Sequence, residues 1–175
     1  RVLRDGGDKS FGTGRVDAYY TFSDTLRLVS FVYGTQQAFT RYFTRPVAAD
    51  PAAAWAQREE AYDRNVFGAG ANLNGRNLLG TVRVDWVAGV EAYRERTGYD
   101  QFNRLTARSR VGSAVVNDRT YRFDSDSLFA EAEFAVSPLL RPTIGLRYDR
   151  FNGDCRRDGA ESSTDPCGRM NDYSN

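Results

Sequence analysis

One stretch decides the fold of this chain: Val82-Arg83-Val84-Asp85-Trp86-Val87-Ala88-Gly89-Val90-Glu91-Ala92-Tyr93-Arg94-Glu95. Apolar side chains occupy the even positions from Val82 to Ala92, and charged side chains occupy odd positions such as Arg83, Asp85 and Glu91. Successive side chains of a β-strand point to opposite faces of the sheet. The alternation therefore predicts a strand with one apolar face and one charged face.

Similar alternation on both sides of this stretch predicts six strands, at 11–22, 25–34, 65–73, 82–97, 121–136 and 141–151. Tight turns are predicted at 23–24, 74–75 and 137–140, because Asp, Asn, Gly and Pro favour turns. Long polar segments are predicted at 35–64, at 98–119 and after residue 151. Strict alternation of tight turns with long polar loops is typical of transmembrane β-barrels. We therefore predict an all-β, antiparallel transmembrane β-barrel fragment of about six strands.

The predicted turns set the predicted strand registers, and we chose registers that bring apolar faces together. The resulting pairs are Ala18 with Val29, Val16 with Phe31, Ala71 with Leu78, Ala69 with Gly80, Phe67 with Val82, Phe134 with Ile144, Ala132 with Leu146, and Glu131 with Arg147 as an ion pair.

Within the first long segment, Asp50-Pro51 predicts the start of a short helix over 52–61, since Asp is a good N-cap and Pro suits the first helical turn.

Composition argues against several classes of function. The net charge is +1, so no overall field favours nucleic acid. The chain has no His, which excludes a Ser-His-Asp triad, and its two Cys alone do not make a zinc site. Asp124 and Asp126 lack the other ligands and the glycine of a calcium loop. We predict no catalytic residue, no metal site and no cofactor, and hence no enzyme.

Three stretches resemble successive strands of TonB-dependent outer-membrane receptors of the siderophore-receptor type. They are Val87-Ala88-Gly89-Val90-Glu91-Ala92-Tyr93-Arg94-Glu95, Ser127-Leu128-Phe129-Ala130-Glu131-Ala132-Glu133-Phe134 and Arg141-Pro142-Thr143-Ile144-Gly145-Leu146-Arg147-Tyr148-Asp149. Residues 170–175 are similar to the approach to the strand that would come next. The first half of the chain is similar to the family in its general pattern but not in its individual motifs.

The resemblance implies a barrel of about 22 strands with a plugged lumen, in the outer membrane of a Gram-negative bacterium. Short turns would be periplasmic and long loops extracellular. Residues 1–175 would form one partial barrel domain, and we expect the plug domain and the remaining strands to be absent from it. The implied function is import of a ferric siderophore or similar small ligand. The implied partners are the TonB-ExbB-ExbD energy-coupling complex, acting through the missing plug, and outer-membrane lipid.

The resemblance also suggests candidate sites. Lumen-facing candidates are Arg83, Asp85, Glu91, Glu131, Arg147 and Asp149, which could equally be a watery wall of mutual ion pairs. Ligand-binding candidates in the long loops are Arg41, Tyr42, Phe43, Arg45, Trp55, Tyr62 and Tyr99, since stacking and charge would hold a ferric chelate. Ordinary solvated loops are the alternative. Cys155 and Cys167 would form a disulfide in an oxidising extracellular loop, or remain two thiols if the protein were cytosolic.

Two other functions are compatible with the pattern. Another outer-membrane barrel, such as a passive porin, would share the alternation and the loops. A soluble extracellular β-sandwich used for binding could bury the same apolar face as its core, although it does not explain why turns and loops alternate in length.

Overall fold

A computed structural model describes residues 5–46, 55–104, 108–111, 114–157 and 167. They form six strands: β1 (Gly6–Ser23), β2 (Leu26–Pro46), β3 (Trp55–Leu79), β4 (Val82–Arg104), β5 (Ala114–Ala135) and β6 (Thr143–Arg157). The strands make one antiparallel sheet in chain order. The predicted strand number, order and antiparallel pairing are confirmed. Within the described ranges, no helix is long and apolar enough to span a membrane.

The strands are longer than predicted. β2 to β5 contain 21, 25, 23 and 22 residues, which at about 3.3 Å per residue is roughly 70–80 Å. Most of the predicted loop segments 35–64 and 98–119 is therefore strand, and so are residues 55–61 of the predicted helix. The start of that helix lies outside the described residues. Polar side chains do not stop these strands, because the ladder with each neighbour still pairs the backbone groups.

The predicted register of the first hairpin is wrong by one residue. The turn is Asp24-Thr25, a bulge lies between Thr21 and Ser23, and Ala18 pairs with Ser30. Bulges insert an extra residue into one strand, and a one-residue slip exchanges the two faces of the partner strand. Phe31 therefore lies on the face opposite to the predicted one.

The second hairpin does not turn at Asn74-Gly75. The chain turns at Gly80-Thr81, where Gly80 has a φ of +64° that suits glycine. Ala71 pairs with Val90 instead of Leu78, because β3 continues for six residues past Leu73 and β4 begins only at Val82. Every predicted partner is displaced by an even number of positions, so the predicted faces of β3 and β4 are nevertheless retained.

The third hairpin turns at 137–140 as predicted, and Ser137 bridges to Leu140. Its register differs by two residues, so Ile144 pairs with Ala132 instead of Phe134. The predicted Glu131–Arg147 ion pair is wrong, since Arg147 lies opposite Phe129 and contacts other carboxylates. The displacement is again even, and the faces are retained.

The registers give the sheet two chemically different faces. We define the apolar face by Val16, Ala18, Val32, Ala69, Ala71, Val84, Trp86, Val90, Leu128, Ile144 and Leu146. The opposite, polar face carries Arg15, Asp17, Asp85, Glu91, Arg147 and Asp149.

The apolar face is uncovered in the described part of the chain. Leu146 is 81% exposed and Ile144 66% exposed, whereas the buried hydrophobic residues are the two cysteines. A soluble sandwich would bury this face under a second sheet, and the described strands all belong to one sheet.

Candidate functional site

On each face of the sheet, the type of side chain changes along the strands. On the apolar side, apolar residues extend from the short turns to Phe67 and Ala92, and Arg94, Arg96 and Asp124 follow. We call residues 15–33, 67–93 and 127–149 the turn half. The far half is 6–14, 34–46, 55–66, 94–104, 114–126 and 150–157. The apolar band spans 13 residues on β3, from Phe67 to Leu79, and 11 on β4, from Val82 to Ala92, which is enough for a tilted strand to cross the hydrocarbon of a bilayer.

Arginine–carboxylate pairs occupy the polar face in the turn half. Arg147 lies 3.2 Å from Glu91 and 2.9 Å from Asp149. Asp85 accepts from Arg76 at 2.7 Å and from Arg83 at 3.1 Å. The predicted lumen-facing residues share this face: Arg83, Asp85, Glu91, Glu131, Arg147 and Asp149. These pairs neutralise the wall electrically, and being exposed they add little stability.

A row of aromatic and cationic side chains crosses the polar face in the far half. Directly paired positions on the six strands are Lys9, Phe39, Tyr62, Tyr99, Arg119 and Arg157. We call these six residues the aromatic row. Tyr62 stacks on Phe39 with ring centroids 6.3 Å apart and contacts Tyr99 at 4.7 Å. The row presents three adjacent ring systems with cationic residues at both ends.

A chain of polar contacts lies beside the aromatic row, on the side away from the short turns. Glu60 accepts from Arg41 at 2.6 Å and from Gln101 at 2.9 Å. Asn117 donates to Gln101, and Arg119 donates to Asn117 at 3.1 Å. Glu60 and Gln101 are buried, at 8% and 5% exposure. Buried polar groups that are paired in this way fix the positions of their neighbours.

On its other side the row borders a cleft of about 510 Å³, lined by Tyr62, Glu95, Thr97, Tyr99, Tyr121, Arg122 and Phe123. Glu95 accepts from Arg64 at 2.6 Å and from Thr97 at 2.9 Å, and it also contacts Tyr93. Burial opposes ionisation of Glu95, but these hydrogen bonds outweigh it and hold its pKa below the ordinary value. The cleft therefore combines a carboxylate that is already paired with exposed aromatic surface.

Burial, together with the negative charge of Glu60, raises the pKa of Tyr99 to about 12. Burial raises the pKa of Tyr62 as well, again with Glu60 contributing. Both phenols are therefore protonated at neutral pH. They can stack and donate hydrogen bonds, but they do not supply phenolate oxygens.

The structure divides the predicted ligand-binding residues between the two faces. Arg41, Phe43, Arg45, Tyr62 and Tyr99 lie on the polar face, whereas Tyr42 and Trp55 lie on the opposite side. All seven are on strands instead of the predicted loops.

Sequence reasoning missed the other members of the site, namely Lys9, Glu60, Gln101, Asn117, Arg119 and Arg157. The available signal was their alternating position beside the predicted aromatics. That signal identifies a face only once the strands are known to extend this far.

Two further features border the site. Cys155 pairs with Tyr121 on the polar face and forms a disulfide with Cys167, with Cα atoms 5.0 Å apart. On the opposite side, residues 108–111 lie against the far half of β3. Arg110 contacts Glu59 at 2.7 Å, and the backbone N–H of Arg108 donates to Gln57 at 2.7 Å. These contacts anchor two connections beside the strand ends.

Comparison with solved structures identifies the fold. The ferric-catecholate import receptor Fiu of E. coli K12 matches with a TM-score of 0.72 and 13% identity, over 93% of this chain and 26% of that receptor. The siderophore receptor PiuA of Acinetobacter baumannii gives 0.75 and 13%, over 91% and 28%. BauA, the ferric preacinetobactin receptor of the same species, gives 0.60 and 15%, over 85% and 25%. The chain thus spans about a quarter of each receptor.

No curated protein matches the sequence significantly. The family model described as TonB dependent receptor-like, beta-barrel, matches residues 2–174. Receptors with this barrel are outer-membrane proteins of Gram-negative bacteria, and they act in transport. The alternating strands, the uncovered apolar band and the family match agree, and the chain belongs to the TonB-dependent receptor β-barrel family.

Proposed function

We propose that this chain forms part of the barrel wall of an outer-membrane receptor that imports ferric siderophores. In this proposal the turn half crosses the bilayer, with the apolar face towards lipid and the polar face towards the lumen. The short turns are periplasmic and the far half extends outside the cell. The height of the apolar band supports this orientation, because a tilted strand needs about 9–11 residues to cross the hydrocarbon.

The observation that carries the ligand assignment is the aromatic row. A ferric siderophore is a bulky chelate, and it offers flat or apolar surface together with polar and charged oxygen atoms. Phe39, Tyr62 and Tyr99 provide adjacent ring faces for stacking, while Arg41 and Arg119 provide guanidinium groups beside them. The protonated state of Tyr99 favours binding of the intact chelate over direct coordination of its iron by the phenol.

Import against a concentration gradient requires energy, which a barrel wall alone does not supply. We propose that a plug domain fills the lumen and contacts the arginine–carboxylate pairs of the turn half, such as Arg147 with Glu91 and Asp149. The TonB-ExbB-ExbD complex would act on that plug from the periplasm. The wall residues then position the plug, and the far half captures the ligand.

The proposal is tested with Tyr62→Ala in the full-length receptor. The substitution removes the central ring of the row, and one aromatic contact with a bound ligand contributes about 0.5–2 kcal/mol. We expect binding of ferric siderophores to weaken by about 3–30-fold, measured by quenching of intrinsic fluorescence and by uptake of radioactive iron. Tyr62→Phe keeps the ring and should bind within a few-fold of the unmodified receptor.

Tyr20→Ala is the matched control, because Tyr20 is an exposed tyrosine near a short turn and far from the row. It should leave binding unchanged. Equal loss of binding in both alanine variants would contradict the assignment of the site. Uptake that neither saturates nor depends on the proton gradient would instead indicate the passive porin.

A further inference from the structure

The described part of the connection between β4 and β5, residues 108–111, lies across the far half on the side opposite to the polar face. We call these four residues the clasp. The backbone N–H of Arg108 donates to Gln57 of β3 at 2.7 Å, and its guanidinium lies 4.7 Å from the ring centroid of Tyr42 on β2. The same guanidinium donates to the backbone oxygen of Asp5, directly before β1, at 3.4 Å. The clasp therefore connects the ends of three strands.

Arg110 forms the second anchor of the clasp. It binds Glu59 of β3 at 2.7 Å, and its guanidinium lies 4.4 Å from the ring centroid of Phe102 on β4. Gln57 and Glu59 are each 1% exposed, although the described strands place no second sheet on this side. A buried carboxylate is stable only with close partners, so the ion pair with Arg110 helps to hold Glu59 in place.

The strand residues that the two arginines contact form a row across the sheet, and the polar contacts beside the aromatic row form the next one. The first row consists of directly paired residues on β2, β3 and β4, namely Tyr42, Glu59 and Phe102. The second row consists of their immediate neighbours in sequence, which are also directly paired, namely Arg41, Glu60 and Gln101. Successive side chains of a strand point to opposite faces. The two rows therefore lie back to back across the sheet.

Glu60 links the second row to the aromatic row. It accepts from Arg41 and from Gln101, and Tyr62 and Tyr99 lie two residues further along their strands from Glu60 and Gln101. A rotation of β3 that moved Glu59 away from the clasp would also move Glu60, because the planar peptide joins the two residues rigidly. A clasp that holds the first row in place therefore holds the second row as well.

We propose that Arg108 and Arg110 are positioning residues for the ligand site: from the opposite side of the sheet, the clasp holds the second row, and with it the aromatic row, in the geometry that binds the ligand. A site that is ordered in advance binds more tightly, because fewer side chains must be immobilised on binding. The role in ligand binding rests on the proposed function. The positioning itself is measured without a ligand, so failure of one is distinguishable from failure of the other.

The first test is an absorbance titration of the phenols in the ligand-free, full-length receptor with Arg110→Gln. Burial and the charge of Glu60 raise the pKa of Tyr99 to about 12. Loss of the anchor lets Glu60 move away and lets water reach Tyr99, so the late step should shift towards the value near 10 of an exposed tyrosine. Loss of a cation alone would raise the pKa of Tyr99, so the direction of the shift separates positioning from charge.

Two further variants complete the titration. Arg110→Lys keeps a cation beside Glu59 and should retain the late step. Arg150→Gln removes an arginine from the same side of β6, away from the clasp, and should retain it as well. A late step that stays in place in Arg110→Gln, or moves to higher pH, would overturn the inference.

The second test measures binding of ferric tris-hydroxamate and ferric tris-catecholate chelates by quenching of intrinsic fluorescence. Arg110→Gln should weaken binding by about 2–10-fold, the cost of ordering one side chain on binding, whereas Arg110→Lys and Arg150→Gln should bind like the unmodified receptor. Unchanged binding in Arg110→Gln would overturn the role of the clasp in the ligand site. If the late step shifts as expected but the unmodified receptor binds neither chelate, the positioning stands and the proposed function fails.

Discussion

The turn half and the far half of the same six strands differ in where their apolar surface lies. In the turn half, one face is a continuous apolar band and the other is a field of arginine–carboxylate pairs. In the far half, charged residues such as Arg94 and Asp124 replace the band, and aromatic rings gather on the opposite, polar face. The ladder runs through both halves without interruption. Backbone pairing therefore determines how far the strands extend, whereas the side chains on each face differ with the surroundings of each half.

The aromatic rings on the polar face also lie differently in the two halves. In the turn half they cover glycines of the neighbouring strands: a Cβ at Gly70 would come within 2.7 Å of the ring of Phe31, and one at Gly89 within 2.7 Å of the ring of Phe129. In the far half, the rings of Phe39, Tyr62 and Tyr99 contact one another. Rings over glycine pack against the backbone, whereas the rings of the row present their surface to a ligand.

The largest expected effect tests whether the apolar face of the turn half lies in lipid while the same side of the far half lies in water. Leu146 is 81% exposed near the middle of the apolar band, and Asn65 is exposed on the same side of the far half. Leu146→Arg should destabilise the folded barrel in bilayers by about 2–4 kcal/mol, because it places a charge in the middle of the hydrocarbon. Asn65→Arg should cost less than about 0.5 kcal/mol. Urea titration of the full-length protein in vesicles measures both, and equal costs would contradict the membrane orientation.

A smaller effect tests the packing of rings over glycine. A Cβ at Gly89 would meet Phe129 and Asn72 at 2.7 Å and a backbone oxygen of Ala71 at 2.8 Å. The backbone atom cannot move aside easily, so Gly89→Ala should destabilise the barrel by about 1–3 kcal/mol. At Gly14 a Cβ would have no neighbour within 4 Å, and Gly14→Ala should be neutral or slightly stabilising. A neutral result for both substitutions would show that the close contact at Gly89 is readily relieved.

The sequence predicts the topology better than it predicts the registers. Alternation identifies six strands and their polar faces, since burial in lipid on one side imposes a period of two on every strand. The faces of β3 to β6 remained correct even where registers were wrong, because those errors were even. The face of β2 was lost through a single bulge between Thr21 and Ser23. A bulge changes the backbone by one residue and leaves no clear mark in the pattern of side chains.

The candidate site was predictable only in part, for a related reason. Arg41, Tyr62 and Tyr99 were recognised by residue type, but as members of loops. Their alignment with Phe39 and Arg119 depends on registers summed over four strands, and an error in any hairpin displaces the row. The turn at Gly80-Thr81 shows the difficulty, because Asn74-Gly75 is the stronger local turn signal and lies within a strand. Local turn preference is weaker than the additional rungs gained by continuing the ladder.

The smallest expected effect is a titration within the far half. Burial and the charge of Glu60 raise the pKa of Tyr99 to about 12, above the value near 10 of an unfolded tyrosine. The folded state therefore holds this proton more tightly, and the stability that it contributes is complete below about pH 10 and is lost as the pH rises towards 12. Absorbance titration of the phenolate should show a late ionising tyrosine that disappears in Tyr99→Phe. Glu60→Gln should shift that step to lower pH, because it removes a neighbouring negative charge that disfavours the phenolate. If Tyr99→Phe leaves the titration above about pH 11 unchanged, then Tyr99 is more hydrated than the row of stacked rings implies. The contrast between rings packed over glycine and rings stacked in the aromatic row would then not hold at Tyr99.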